Sequence, residues 1–387
     1  MPAIDGYSIT ETLRENDRFV LQRASRRGDG RPVILKRPSA EYPSLETLRL
    51  LEHEWEITRT LPPGLALRPL SLERSAGSLT LVLEDNRGVA LSRLLGSPMS
   101  TGRFLRLAVQ AAAALEELHE HGVIHKDIRP DNIIVDAEIG ESKLTGFGIA
   151  SLLPREYQPA RSPSMIEGSL AYMSPEQTGR MNRAVDHRTD LYSLGITFYE
   201  MLTGTLPCRA ADPLEWVHFH IARAPRPPEE LAPCVPGPVS AIVLQLLSKV
   251  AEDRYQTARG LRHDLLTCLA QWESAGRIEP FPLRRHDVPT RLRIPQKLYG
   301  RDRELSVLTS SFERVVATGS PELVLVSGYS GIGKSSLIHE LHKPIVAARG
   351  LFLSGKFDRH KRDIPYSTVV QAFVEIIRQL LAEARIG

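Results

Sequence analysis

"VIHKDIRPDNIIV", residues 123–135, places Asp127 and Asn132 five positions apart, with Arg129 between them and His125 ahead. Its surroundings give that spacing its weight. Upstream, "TGRFLRLAVQAAAALEELHEHG" (101–122) opens on a threonine and sets Phe104, Ala108, Ala111, Leu115 and Leu118 on one stripe at helical period. Gly122 is placed to end that helix. Downstream, the apolar "IIV" reads as a strand, and "KLTGFGIAS" (143–151) follows as an extended approach to Gly146-Phe147-Gly148.

Further out, the first ~85 residues carry the signals of a small sheet-rich lobe with one helix. "FVLQRA" (19–24) and "PVILKR" (32–37) are strands joined through Asp29-Gly30, a strong hairpin signal. "SLETLRLLEHEWEITRTL" (44–61) has helical period, and "SLTLVLED" (78–85) reads as another strand. Beyond residue 100 the texture is helical. "DLYSLGITFYEMLTG" (190–204) is apolar nearly all round except Asp190 and Glu200, which predicts a central buried helix. A proline-rich stretch (224–238) separates it from further helices that close near residue 272. The proline- and arginine-rich "RIEPFPLRRHDVPTRLRIPQ" reads as a linker. A new unit opens at "LYGRDRELSVLTSSFERVV", a helix, with "ELVLVS" (322–327) as a buried strand behind it. The expected organisation is a first domain over 1–270, a linker over 271–297 and part of a second domain over 298–387.

Composition bounds the function. The chain has 387 residues, 42% apolar and 25% charged, as soluble globular domains do. A net charge of +3 is too small to argue for nucleic acid, and no nucleic-acid partner is expected. Cys208, Cys234 and Cys268 are far apart and odd in number, so neither a disulfide framework nor a zinc site is expected. The start "MPAIDGYSIT" lacks the features of a signal peptide. No run approaches the ~20 apolar residues of a membrane helix, so a cytoplasmic protein is expected. The histidines at 119, 121, 218 and 220 have no third ligand in sight and read as core or solvated residues. Ser162 and Ser164 read as loop residues open to phosphorylation.

Over residues 7–268 the sequence resembles the protein-kinase family. In that family an aspartate at the place of Asp127 takes the substrate hydroxyl proton, and an asparagine at the place of Asn132 holds a metal. The resemblance makes Lys36 in "PVILK" the strand lysine that grips the α- and β-phosphates. Glu54 becomes its helix partner, in preference to Glu52 and Glu56. "LVLEDN" becomes the hinge, with Leu83 behind the adenine and Glu84 to Asn86 offering backbone groups. Ser169 takes the place of a threonine in the activation segment, Glu176 would pair with Arg254, and Asp190 would brace the catalytic loop. The implied fold is a two-lobed α+β kinase fold, with ATP and Mg2+ as cofactors.

The departures bear on activity. The three positions of the glycine-rich loop hold Arg14, Asn16 and Phe19, whose side chains obstruct close approach of backbone to phosphate. Ile34 stands where a small alanine roofs the adenine. Arg129 replaces the lysine on the transferred phosphate, keeping its charge but not its shape. Lys126 replaces the arginine that grips a phosphorylated loop. Gly146 replaces the aspartate that chelates the principal magnesium, and Thr145 beside it would point the other way. Phosphoryl transfer is largely positioning and charge neutralisation, so weak or lost transfer is expected. The alternative is an active serine/threonine kinase with Asp127 as base, Lys36 and Arg129 on phosphates and Asn132 on the metal.

"GYSGIGKS", Gly328–Ser335, matches the phosphate-loop pattern, with Gly328, Gly331 and Gly333 shaping the turn. Lys334 would reach the β/γ-phosphates and Ser335 would bind magnesium. Asp358 is the nearest acid further on, but it lacks the preceding apolar strand that hydrolysis requires. The order of motifs resembles large bacterial signalling proteins, in which a kinase-like domain precedes an α/β P-loop ATPase and sensor histidine-kinase modules. That resemblance implies ATP, a protein substrate or docking partner, and downstream domains of a longer chain.

Overall fold

The computed structural model describes residues 6–136, 142–156, 168–289, 300–355 and parts of 366–377, apart from a few single positions inside these ranges. Strands β1 (Tyr7–Glu15), β2 (Phe19–Arg26), β3 (Pro32–Pro38), β4 (Pro69–Ser75) and β5 (Ser78–Glu84) form an antiparallel sheet in the order β1-β2-β3-β5-β4. The β2–β3 hairpin turns at Asp29-Gly30, where Gly30 takes φ +69°. Alternation along β3 sends Val33 and Leu35 to one face, among Tyr7, Ala24 and Val82. Ile34 and Lys36 go to the other, facing helix α1 (Leu45–Thr58). Ser44 starts that helix by accepting the Thr47 N–H at 3.2 Å, and its inner face is Leu51, Glu54, Ile57 and Thr58.

A second, three-stranded sheet of β6 (Val89–Ala90), β7 (Ile133–Val135) and β8 (Ser142–Leu144) flanks the Asp127–Asn132 stretch. Behind it lie α2 (Thr101–Glu120), α3 (Arg188–Thr203), α4 (Pro213–Ala222), α5 (Pro228–Leu231), α6 (Gly237–Leu246) and α7 (Ala258–Ala275). The α2 stripe Phe104, Ala108, Ala111, Leu115 and Leu118 is wholly buried, and Phe104 meets Phe198 of α3 edge-on at 5.3 Å. Helix α3 is buried on all sides, as its composition predicts.

The stretch expected as linker divides. Residues 271–275 complete α7, and the chain up to residue 289 stays on the helical lobe. Ile278 is buried, and the Asp287 carboxylate accepts the N–H groups of Gln256 (2.6 Å) and Thr257 (2.8 Å) at the start of α7. A single distant acid thus satisfies the helix's approach, a contact that periodicity does not reveal.

The second unit contributes α8 (Asp302–Thr318), α9 (Lys334–His339) and α10 (His342–Ala347). The buried strand expected at 322–327 is not formed: residues 319–329 carry no regular structure, and Leu323 and Leu325 are each 85% exposed. An apolar run becomes a strand only beside a partner, and among the described residues none lies next to it. This unit touches the helical lobe through Glu340 and Arg183 (2.9 Å), His342 and the Arg180 carbonyl (2.5 Å), and Val346 against Met181, Val217 and Ile221. Ser162, Ser164 and Asp358 lie outside the described residues. Among the described residues no helix is long and apolar enough to cross a membrane.

Candidate active site in the interlobe cleft

The cleft is built on Asp190, fully buried near the start of α3. It accepts the N–H groups of His125 (2.9 Å) and Lys126 (2.8 Å) and a hydrogen bond from His119 Nε2 (2.9 Å). Burial alone would raise this carboxyl, but the bonds from His119 and His125 outweigh it and hold it below the ordinary range. Lys126 is thereby fixed in a left-handed conformation, φ +65°. His125 accepts the Asp127 N–H at Nδ1 (3.2 Å) and donates from Nε2 to the Thr145 carbonyl (3.0 Å), so its partners assign the Nε2–H tautomer. Its ring packs on Phe147, centroids 4.6 Å apart. The catalytic loop and the Gly146 turn are therefore tied into one unit.

The Lys36–Glu54 pair is formed, Nζ to Oε2 at 2.5 Å, with Glu54 1% exposed. Glu52 and Glu56 are turned outward onto Arg74 and Arg59. The other Glu54 oxygen accepts the Gly146 N–H at 3.1 Å. Glu54 thus joins both sides of the cleft.

Asp127 and Asn132 are brought together more tightly than their spacing requires. Asn132 Nδ2 donates to both the carbonyl and Oδ2 of Asp127, each at 2.8 Å. Asp127 Oδ1 accepts the Ser169 N–H at 3.2 Å. Gly146 has φ +86°, and a Cβ built there would lie 2.7 Å from the Asn132 amide carbon and oxygen. The space that an aspartate side chain would enter is filled by the asparagine. No group of three or more His, Cys, Asp or Glu side chains able to hold a metal occurs among the described residues. Position 146 offers no side chain to the principal magnesium that the resemblance implies, and the Asn132 amide stands in that place.

The glycine-loop positions behave differently from one another. Asn16 Oδ1 accepts the N–H groups of Arg18 (3.0 Å) and Phe19 (2.8 Å), closing a tight turn between β1 and β2. Phe19 lies against Lys36, whose Nζ is 4.9 Å from the ring centre. A register shift between Thr12 and Arg14 re-aims the end of β1, and Arg14 reaches across to Asp131 at 3.5 Å. Arg129 pairs with the same Asp131. Arg14, Lys36, Asp127, Arg129, Asn132 and Gly146 line a cavity of about 390 Å³.

The hinge residues lie apart from that cavity. Glu84 is engaged by Lys143 (3.2 Å) and by the Arg68 backbone, and Asn86 Oδ1 accepts the Gly88 N–H. Between them, Asp85 has a buried side chain bound by Arg23 at 2.7 Å. Leu13, Ile34, Leu83 and Ile134, around the expected adenine position, belong to one apolar cluster, with Ile34, Leu83 and Ile134 at 2%, 1% and 7% exposure.

The helical lobe carries the expected brace, with Glu176 accepting two bonds from Arg254, at 2.7 and 2.9 Å. A further contact was not anticipated: Lys126 Nζ meets Glu156 at 3.0 Å. The signal for it, a lysine in the arginine's place, was present in the sequence, but Glu156 lies 30 residues away.

In the second unit Gly331 and Gly333 take φ +80° and +95°, and Ser335 follows in the first turn of α9. Lys334 Nζ donates to the carbonyls of Gly328 (2.9 Å) and Tyr329 (2.8 Å). Lys334 is thus folded back onto its own loop, beside Gly328.

The model of the protein kinase domain matches residues 21–266, and that of an AAA ATPase domain matches residues 297–386. The hybrid signal transduction histidine kinase G of Dictyostelium discoideum is 30% identical over 72% of this chain and 10% of its own length. The serine/threonine-protein kinases Pkn1 of Myxococcus xanthus and PknB of Mycobacterium tuberculosis are each 34% identical, over 49% and 50% of this chain. The chain spans about a tenth of the first relative and under a third of the others. With its sheet lobe, its helical lobe and the Lys36–Glu54 and Asp190 frameworks in place, the chain belongs to the protein kinase family, and an AAA-type ATPase domain follows the kinase domain.

Proposed function

We propose that this is an ATP-linked signalling protein whose kinase-fold domain has weak or lost phosphotransfer and acts on the ATPase domain behind it. One observation carries this reading: the Asn132 amide fills the place of a side chain at Gly146, so the cleft lacks the carboxylate that would hold the principal metal. Lys334 and Ser335 would take the phosphates and magnesium of ATP in the second domain. Contacts of Glu340 and His342 with the helical lobe offer a route between the domains. The setting would be the cytoplasm, with a protein as docking partner.

The formed Lys36–Glu54 pair favours the other reading, an active serine/threonine kinase with Asp127 as base. One experiment decides between them. The full chain carrying Lys334→Ala, which silences the phosphate loop, is incubated with γ-labelled ATP, magnesium and a serine/threonine-rich acceptor peptide. Label incorporation equal to that of the Lys334→Ala/Asp127→Asn double variant supports lost transfer. Magnesium-dependent incorporation that disappears with Asp127→Asn establishes the active kinase instead.

A further inference from the structure

We propose that Arg14 takes the place of the metal ion, making the cleft a magnesium-independent binding site for a polyphosphate chain; the proposal rests on the reading that Gly146 has lost the metal. The charges balance. A divalent cation held by one aspartate adds a single net positive charge beside the phosphates. Here the carboxylate is gone at Gly146, and the Arg14 guanidinium adds the same single charge from the opposite wall. Its position is built: the register shift at the end of β1 turns Arg14 into the cavity, where Asp131 holds it at 3.5 Å and shares itself with Arg129. Burial and the neighbouring Arg129 both disfavour the charged Arg14, and only Asp131 and Asp127 offset them. Two guanidiniums crowded onto one carboxylate are short of negative charge, which an entering phosphate supplies in bidentate form.

The cavity also fits this class of ligand in size and in what it lacks. Its wall includes Arg18, Lys36, Gly146, Gly148 and Gly168, with Asp17 and Asp127 as its acidic members, and Asp131 stands behind it as the partner of Arg14 and Arg129. The cavity wall takes in none of Leu13, Ile34, Leu83 or Ile134, which are gathered in one apolar cluster. Its apolar members are Phe19, Leu21, Leu50, Ile149 and Leu170, none of them from the hinge side, so the charged groups at Arg14, Lys36 and Arg129 select for phosphates.

The test uses the full chain carrying Lys334→Ala, so that the phosphate loop is silent. Tripolyphosphate and ATP are titrated separately by calorimetry, once in excess EDTA and once with magnesium. Expected are binding of both in EDTA, no tightening by magnesium, and at least a ten-fold loss with Arg14→Ala. Arg14→Gln, which keeps the length and loses the charge, gives the same loss and serves if the alanine variant misfolds by circular dichroism. Absence of binding in EDTA, binding of ATP without tripolyphosphate, or no effect of either Arg14 variant overturns the proposal. Absence of binding in both conditions does so while leaving the lost-transfer reading intact. Strong tightening by magnesium overturns both.

Discussion

Restoring the missing aspartate is the most informative perturbation of this cleft, because the structure predicts that Gly146→Asp is harmful on its own. Three costs add. The backbone at 146 is left-handed, φ +86°, which costs a non-glycine residue about 1 kcal/mol. The new Cβ lies 2.7 Å from the Asn132 amide, so that side chain must swing away and give up two bonds to Asp127. One of these ends on a carboxylate, and together they are worth about 2–3 kcal/mol. The new carboxylate then enters a cleft beside Asp127 without a cation between them, adding about 1 kcal/mol at an intermediate dielectric. The expected loss is about 4–5 kcal/mol in EDTA, or about 10 °C in the melting temperature of a domain this size. Differential scanning fluorimetry in EDTA and then with magnesium and ATP reads it, and the metal is expected to return part of the loss. A melting temperature within about 1 °C of the parent in EDTA would refute the reasoning, because it would mean that Asn132 does not occupy the site.

Two further outcomes follow from the frame that holds the cleft. Arg254→Ala leaves Glu176 buried without its cation, since Arg254 is fully enclosed and supplies both charged hydrogen bonds, at 2.7 and 2.9 Å, beside the neutral one from the Thr189 hydroxyl. A loss of about 3–5 kcal/mol is expected in urea unfolding, with part recovered in the Arg254→Met/Glu176→Gln double variant; a loss below about 1 kcal/mol contradicts it. Glu176, Asp186 and Asp190 are all held below the ordinary carboxylate range, their hydrogen-bonded cationic and histidine partners outweighing the upward push of burial. The unfolded chain therefore takes up protons first as the pH falls below about 4.5, and the stability these groups give at neutral pH is lost through that window. Urea midpoints that stay flat from about pH 6 down to about pH 3 would contradict the assignment.

What the sequence made legible is what depends on spacing along one element or on a frame of ordered motifs. Lys36 and Glu54 meet because β3 alternates and α1 turns every 3.6 residues, so each is placed by its own neighbours. Asp190 and the Glu176–Arg254 pair follow from the same family frame. The departures were legible as identities but not as geometry. That Gly146 lacks a carboxylate is plain; that Asn132 moves into its space depends on two hydrogen bonds between residues on a loop. Arg14 read as an obstruction, and only the register shift in β1 shows that it reaches Asp131 instead. The strand expected at 322–327 shows the opposite limit, since an apolar run records a demand for pairing, not the presence of a partner.

Lys126 and Glu156 have a consequence for how information enters the protein. In the family frame this position carries an arginine that waits for a phosphate to arrive on the activation segment. Here the negative charge is encoded in the chain itself, 3.0 Å from the lysine, and the same residue pairs its backbone with Val185. Such a tether is written once, at translation, and no upstream enzyme adds it or erases it. The chain at Glu156 is therefore held on the catalytic loop and at Val185 without waiting for a phosphate.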